Sequence, residues 1–129
     1  MRHLVDAHSL IWALDDPLKL GTAATAALQT PANELLLSAG TMWELSIKSG
    51  LKKLMLSLPL RQWIEKAIVD LGLIVLPITL DHAVRQAGLP FHHRDPFDRL
   101  LAAQALVEGL PLVSADAIFD QYGVRRIWQ

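Results

Sequence analysis

The stretch HHRDPFDRLLAAQALVEG, residues 92–109, sets the fold because it encodes a helix that is buried on most sides. Asp95 followed by Pro96 is typical of an N-cap and the first helical residue, and the following GLP is typical of a helix end. Between these signals, apolar residues occupy most of the helix circumference, which predicts a central, buried helix over residues 96–108. The next residues, PLVS at 111–114, have the pattern of a short buried strand.

Four further apolar runs have the same character, and helical patterns alternate with them along the chain. The predicted strands are HLV, ELLLS, LIVLPI, PLVS and VRRIW, at residues 3–5, 34–38, 73–78, 111–114 and 124–128. Helices are predicted at residues 9–14, 21–28, 39–49, 60–71, 81–87, 96–108 and 117–122. Because helical patterns follow the first four strands, we expect an α/β fold, a three-layer α/β/α sandwich with a mainly parallel sheet. A single domain over residues 1–129 is expected, since no linker or repeat divides the chain.

The composition excludes several classes of protein. With 52% hydrophobic residues and no cysteine, the chain is neither disordered nor held by disulfides or thiolate metal sites. The longest apolar run, at 71–80, is too short to span a bilayer, and Asp6 and His8 interrupt the apolar N-terminus. We therefore expect a cytoplasmic protein without a membrane span. A net charge of -1 argues against a protein that coats nucleic acid through bulk positive charge.

Acidic residues recur where the predicted strands meet the predicted helices. Asp6 follows the first strand, Glu44 lies one turn into the helix after the second, and Asp116 follows the fourth. In an open parallel sheet these junctions lie at one edge, where such folds bind their ligands. Asp98, in the first turn of the buried helix, is expected to turn toward the same edge. Taken singly, each acid is also explained by helix capping or, for Glu44, by an ion pair with Lys48.

Taken together, Asp6, Glu44, Asp98 and Asp116 predict a metal site. Two carboxylates ~5 Å apart repel by about 3 kcal/mol at an effective dielectric constant of 20, so four require protons or cations between them. Oxygen ligands without cysteine favour a hard ion, Mg²⁺ or Mn²⁺. The histidines lack the spacing of a metal-binding motif and are not expected to be ligands. Asp81 also follows a strand, but we expect it only to cap a helix.

A divalent cation at such an edge suits phosphoryl chemistry. The metal lowers the pKa of a bound water, orients it in line, and offsets the charge of the transition state. Basic residues near the expected mouth would hold a phosphate backbone while carrying little sequence information. These residues are Lys48, Lys52, Lys53, Arg94 and Arg99.

Three other protein classes remain as alternatives. A phosphotransferase of the haloacid-dehalogenase type requires Asp-x-Asp after the first strand, where this chain has Asp6-Ala7-His8. A receiver domain requires a phosphorylatable aspartate at the end of the third strand, where this chain has Pro77-Ile78-Thr79 before its next acid. A non-catalytic interaction domain would keep the fold but not all four acids. Metal-dependent nuclease activity distinguishes these alternatives.

Beyond this chemistry, four motifs resemble those of a known family. MRHLVDAHSLIWAL, SAGTMWELSIKSGLKKL, HHRDPFDRLLAAQALVEGLPLVSAD and AIFDQYG together look like a PIN domain of the VapC-type ribonuclease toxins of toxin-antitoxin pairs. The resemblance covers nearly the whole chain, and HRDPFDR with LVSAD is its most specific part. It implies a sheet of order 3-2-1-4-5, Mg²⁺-dependent cleavage of RNA, homodimerisation, and a cognate antitoxin whose C-terminal segment lies in the active-site groove. A PIN-fold protein that processes RNA without a toxin role is the alternative within this family.

The resemblance also assigns roles to single residues. By position, the four acids named above match the catalytic and metal-binding acids of the family. Ser114 matches a hydroxyl position near the metal, and Asp95 matches an additional aspartate that caps the helix or supports the ligands. Ala7 departs from the pattern, because relatives usually carry a hydroxyl residue after the first aspartate. The departure removes one expected hydrogen bond and leaves the ligand set unchanged.

Overall fold

A computed structural model describes residues 1–129 and contains five strands and seven α-helices. The strands are β1 (Arg2–Val5), β2 (Glu34–Ser38), β3 (Ile74–Leu76), β4 (Leu112–Val113) and β5 (Arg126–Ile127). The helices are α1 (Ala7–Asp15), α2 (Thr22–Gln29), α3 (Ala39–Gly50), α4 (Leu60–Leu71), α5 (Leu80–Ala87), α6 (Pro96–Glu108) and α7 (Ile118–Gln121), with a 3-10 turn at Pro17–Lys19. Every predicted strand and helix is present. The third strand is shorter than predicted and ends before Pro77, which has no N–H to donate to a neighbouring strand.

The five strands form one parallel sheet in the order β3-β2-β1-β4-β5. This confirms the predicted α/β fold and the sheet order implied by the family resemblance. The central strand β1 pairs with β4 so that Val5 lies opposite Val113. Beyond this pair, the Asp6 N–H donates to the Val113 carbonyl at 3.2 Å. The chain segments that follow β1 and β4 therefore start side by side.

Helices cover both faces of the sheet, because alternate strand residues point to opposite sides. On one face, Leu4 and Leu112 pack with the helix α6 in a buried cluster. On the other face, Val5 and Val113 pack with Leu10 of α1 and with residues of α2, α3 and α4. The predicted three-layer sandwich is thus present. No helix in the structure combines the length and the apolar character needed to cross a bilayer.

The start and end of α6 follow the capping chemistry that its sequence predicts. The Asp95 carboxylate accepts the N–H groups of Phe97 at 2.8 Å and Asp98 at 3.3 Å. At the other end, Gly109 adopts a left-handed conformation with φ 65°, which a residue without a Cβ adopts at low cost. An N-cap of this kind contributes about 1 kcal/mol and fixes the orientation of the first turn. Asp98 is placed by that turn.

The predicted cap at Asp81 is wrong. Helix α5 begins one residue earlier, and its N-cap is Thr79, whose hydroxyl accepts the His82 N–H. The His82 ring in turn accepts the Thr79 N–H, which completes a capping box. Asp81 lies in the first helical turn instead, where its charge faces the positive end of the helix.

Candidate active site

The four acids predicted to form a metal site lie at the edge of the sheet where the strands end. Asp6 follows β1 directly and caps α1 by accepting the Ser9 N–H at 2.9 Å. Glu44 lies in α3, which follows β2, and Asp98 lies in the first turn of α6. Asp116 follows β4, and it lines an open cavity of about 310 Å³ together with Asp6. Four separate segments thus contribute one carboxylate each to this edge.

Asp98 and Asp116 are joined by a histidine. The Nε2 atom of His93 lies 2.9 Å from Asp98 Oδ2 and 3.3 Å from Asp116 Oδ2. One ligand atom from each of these three residues lies within 4.8 Å of the other two, close enough to share one metal ion. The carboxylates from α6 and from the loop after β4 therefore converge on one point.

Glu44 is buried and forms an ion pair with Lys48. The Lys48 Nζ atom donates to Glu44 Oε2 at 2.7 Å, and the glutamate side chain is 5% exposed. This hydrogen bond is the main cause that raises the pKa of Lys48, and the charges of Glu44, Asp95 and Asp98 add to it. The ion pair considered from the sequence is present. The lysine lies within the field of the acids, so it offsets part of the negative charge.

The pKa of Asp98 is affected by burial and by the neighbouring acids. Burial is the largest cause that raises the pKa of Asp98 to about 7, and the charge of Asp95 is the next. Glu44 and Asp6 also raise this pKa, whereas His93 lowers it. These residues fit a hard divalent cation, because they supply carboxylate oxygens in a region where ionisation of one acid is already disfavoured.

Comparison with known proteins identifies the family. The family model for the PIN domain matches residues 3–124. The chain belongs to the PIN domain family. This PIN domain is 30% identical to ribonuclease VapC22 of Mycobacterium tuberculosis over 114 residues. The aligned region covers 88% of the chain and 85% of VapC22. The predicted resemblance to VapC-type PIN domains is thereby confirmed. The match favours the PIN family over the haloacid-dehalogenase and receiver alternatives.

Solved structures match the fold over nearly its full length. VapBC2 from Rickettsia felis, bound to a DNA fragment from its promoter, matches with a TM-score of 0.71 and 17% identity, covering 100% of both chains. VapBC-5 from Mycobacterium tuberculosis, a member of the VapBC family of toxin-antitoxin systems, matches with a TM-score of 0.61 and 20% identity. That match covers 98% of the PIN domain and 97% of the VapBC-5 chain. At these identities the structures support the fold alone.

The sequence does not predict that His93 of this PIN domain lies among the acids, because the spacing of the histidines is not typical of a metal-binding motif. The signal that was available is its place two residues before the N-cap Asp95. From there the ring folds back on the start of α6, and its Nδ1 atom accepts the Asp95 N–H at 3.2 Å. The opposite ring nitrogen then points at the acid in the first helical turn.

Ser114 and Asp95 form hydrogen bonds with backbone N–H groups next to the acids. Ser114 is fully buried, and its hydroxyl oxygen accepts the Asp116 N–H at 3.0 Å. Asp116 itself accepts the Ile118 N–H at 3.0 Å, although the N-cap residue of α7 is Ala117 and not Asp116. Asp95 caps α6 and raises the pKa of Asp98 through its charge. Both residues therefore shape the loops that carry the acids, and their roles toward a metal stay predictions.

The basic residues predicted to bind RNA differ in how exposed they are. Arg94 is exposed beside the cluster, and Lys48 is half-buried against Glu44, so RNA contacts by these two residues stay predictions. The prediction for Arg99 is wrong, because the residue is only 5% exposed. Its guanidinium donates to the carbonyls of Gln86, Leu89 and Pro90 and lies 4.1 Å from the ring centre of Phe91. Arg99 holds the segment between α5 and α6 in place. Lys52 and Lys53 are exposed just after α3.

Proposed function

We propose that this PIN domain is a Mg²⁺-dependent endoribonuclease and the toxin of a toxin-antitoxin pair. The observation that carries the proposal is the convergence of Asp6, Glu44, Asp98 and Asp116 at one sheet edge from four separate segments. The raised pKa of Asp98 supports a bound cation, since burial, which is its largest cause, and the charges of Asp95, Glu44 and Asp6 all disfavour the ionised carboxylate unless a cation is bound. The similarity to ribonuclease VapC22 supports RNA as the substrate.

The four acids would hold the cation, with Asp6 and Asp116 on the side of the open cavity. Bound there, Mg²⁺ or Mn²⁺ would supply an activated water and offset the charge that develops on the phosphate. Lys48 orients Glu44 through their 2.7 Å hydrogen bond. Ser114 orients the loop that carries Asp116 through its backbone N–H.

The surface around the cavity suits a polyanion that carries bases. His8 and Trp12 line the cavity beside Asp6 and Asp116, and their rings lie 5.7 Å apart. Exposed Arg94 is available to a phosphate outside the acid cluster. Such a surface positions a backbone while bases rest on aromatic rings, as in other single-strand binding sites.

The partners belong to the proposal as well. Similarity to VapBC structures supports a cognate antitoxin that covers the active-site groove, and the VapC-type resemblance supports a homodimer. We place the protein in the cytoplasm, where its proposed RNA substrate is found. We assign the activity to one domain, residues 1–129.

The test is cleavage of RNA by purified, EDTA-treated protein with Mg²⁺ or Mn²⁺ added back. We expect cleavage only with metal, and loss of cleavage in Asp6→Asn and Asp98→Asn variants. Asp70→Asn is the matched control, because this exposed aspartate pairs with Lys66 on α4, away from the cluster. Cleavage at full rate in EDTA, or in the Asp98→Asn variant, would refute the metal site.

The toxin role has a separate test. Expression of the chain should arrest growth, and coexpression of the protein encoded by a short adjacent reading frame should restore it. RNA cleavage without growth arrest would point instead to a PIN domain that processes RNA without a toxin role.

A further inference from the structure

An exposed aromatic pair lies beside the acid cluster, on two helices that the proposed function uses for their acids. Trp43 of α3 is 62% exposed, and its ring meets the ring of Phe97 of α6 edge to face, with the ring centres 5.6 Å apart. Trp43 directly precedes Glu44, and Phe97 directly precedes Asp98. A tryptophan this exposed contributes little to the core. The pair, the Trp43–Phe97 platform, is therefore open to a ligand next to two of the four acids.

The platform is held in place by the close contact of its two helices. Gly40 lies on the same side of α3 as Trp43, and Leu100 lies on the same side of α6 as Phe97, since residues three apart are neighbours on a helix surface. Gly40 and Leu100 are buried, and a Cβ at Gly40 would collide with the Leu100 side chain. The helices thus approach closely at this point. A preformed platform of this kind loses little conformational entropy when a flat ligand stacks on it.

A second aromatic pair lies on the other side of the acids. His8 and Trp12 line the open cavity with Asp6 and Asp116, and the Trp12 ring lies 5.6 Å from the ring of Trp128, which follows β5. In the sheet, β1 and β4 carry Asp6 and Asp116 at their ends and lie between β2, which leads into α3, and β5. The strand order therefore places the two aromatic pairs on opposite sides of the acids.

We propose that the Trp43–Phe97 platform binds a second unpaired base of the RNA, so that the phosphate to be cleaved lies at the acids between two bases stacked on separate aromatic pairs. The proposal rests on the RNA substrate of the proposed function and adds a binding site to it. The ligand of the platform is a nucleobase in a single-stranded segment.

The separation of the two aromatic pairs excludes a stacked duplex as their common ligand. Neighbouring strands lie about 4.8 Å apart, whereas stacked bases in one strand of a duplex are about 3.4 Å apart. Two consecutive bases can therefore reach both pairs only when they are splayed apart, as in single-stranded loops and ends. Every base has a π face, so the platform adds affinity without selecting one base.

The surroundings of the platform favour RNA as its occupant. The Lys48 side chain on α3 is 39% exposed, and Arg94 is exposed three residues before Phe97, so both are available to phosphates on either side of a stacked base. Apolar exposure continues along α3 to Leu51, which is 60% exposed. A helix of a partner protein would cover such a stripe as a whole, whereas a base on the platform would not reach Leu51. Leu51 therefore distinguishes the two occupants.

Fluorine NMR of the wild-type protein tests the platform directly. With 5-fluorotryptophan incorporated, the four tryptophans give separate signals, and single substitutions by phenylalanine assign them. The probes are a mixed-sequence single-stranded RNA of about eight nucleotides, the same RNA annealed to its complement, and inorganic polyphosphate. Spectra are recorded in Ca²⁺, which takes oxygen ligands as Mg²⁺ does, and gel electrophoresis checks that the RNA is intact. We expect the Trp43 signal to shift with single-stranded RNA alone, and the signal of the buried Trp63 to stay in place.

The affinities of variants measure the stacking. One base stacked on an aromatic ring strengthens binding by about 5- to 150-fold. We expect Trp43→Ala to bind the single-stranded RNA at least about fivefold more weakly than the wild type, and Trp43→Phe, which keeps a ring, to retain most of the affinity. Leu51→Ala is the matched control, since Leu51 is about as exposed as Trp43 and lies at the far end of α3. The affinity for polyphosphate should be the same in all three variants.

The outcomes separate this proposal from the proposed function. If single-stranded RNA shifts the Trp12 signal but not the Trp43 signal, the platform is overturned and the RNA substrate stands. An equal shift of Trp43 with duplex RNA or polyphosphate also overturns it, because neither offers an unpaired base. Equal weakening by Trp43→Ala and Leu51→Ala, or a Trp43 signal that responds to the coexpressed antitoxin and not to RNA, assigns the surface to a protein partner and overturns the proposal. If the wild type neither binds nor cleaves RNA, the proposed function fails and the platform fails with it.

Discussion

Replacement of Asp98 by asparagine should stabilise the metal-free protein, and by an amount that grows with pH. The pKa of Asp98 is raised from 3.8 to about 7, so the folded state binds the proton more tightly than the unfolded state. For a carboxyl shifted in this direction, the stability present below pH 3.8 is lost as the pH rises to about 7. The asparagine variant has no such loss.

The size of the effect follows from the same pKa values. Each pKa unit corresponds to about 1.4 kcal/mol, so the difference between 3.8 and about 7 sets an upper limit of about 4 kcal/mol. The Asp98 side chain is 25% exposed, and water reaching it reduces this figure. We expect the variant to exceed the wild type by about 1–3 kcal/mol at pH 8 and by much less at pH 4.

Urea unfolding in EDTA at pH 4, 6 and 8 measures this difference. Asp70→Asn controls for the substitution itself, since its carboxylate is exposed and paired with Lys66. Addition of Mg²⁺ at pH 8 should stabilise the wild type and leave Asp98→Asn nearly unchanged. A variant that is less stable than the wild type, or a difference that does not vary with pH, would refute the conclusion that burial and neighbouring acids raise the pKa of Asp98.

Four further predictions concern residues around the cluster. Asp95→Ala should lower the free energy of unfolding by about 1 kcal/mol through loss of the N-cap, and should lower the pKa of Asp98, which carbon-detected NMR of the carboxyl would measure. Arg99→Lys should cost about 2–4 kcal/mol in urea unfolding, because one ammonium cannot replace a guanidinium bonded to three carbonyls, whereas RNA affinity per folded molecule stays unchanged. Arg94→Ala should weaken RNA binding without altering stability, and the slope of log affinity against log salt should fall by about 1. Cleavage at limiting Mg²⁺ should decline as the pH falls below about 7, where Asp98 takes up a proton and releases the cation; a flat pH–rate profile would count against a carboxylate-bound metal.

Much of the fold was accessible from local chemistry. Asp95 before Pro96 and Gly109 after the helix delimit α6 correctly, because capping depends on neighbours within about four residues. The alternation of apolar runs with helical patterns predicted the parallel sheet. The sheet order required the family resemblance, since strand adjacency depends on crossovers that no short pattern encodes.

The four acids could be grouped from the sequence because the fold gathers the ends of parallel strands at one edge. Their individual surroundings could not be predicted in the same way. Lys48 pairs with Glu44 along one helix, a contact that i,i+4 spacing predicts. Asp98 has no such ion pair along its helix. Burial is the largest cause of its raised pKa, the nearby Asp95 is the next, and Glu44 and Asp6 add to it from other segments.

The contacts of His93 and Arg99 depend on three-dimensional packing and not on local sequence pattern. Both are polar residues near the start of α6. Residue type and spacing alone predicted that Arg99 would hold RNA and that His93 would not be a metal ligand. The packing of α5 against α6 buries Arg99 among backbone carbonyls, and the crossover to β4 brings Asp116 to His93. Residue type and spacing establish which segments become helices, strands and caps, because those interactions are short in range. Which side chain meets which partner is settled only when distant segments pack, since burial and charge depend on all the neighbours in space.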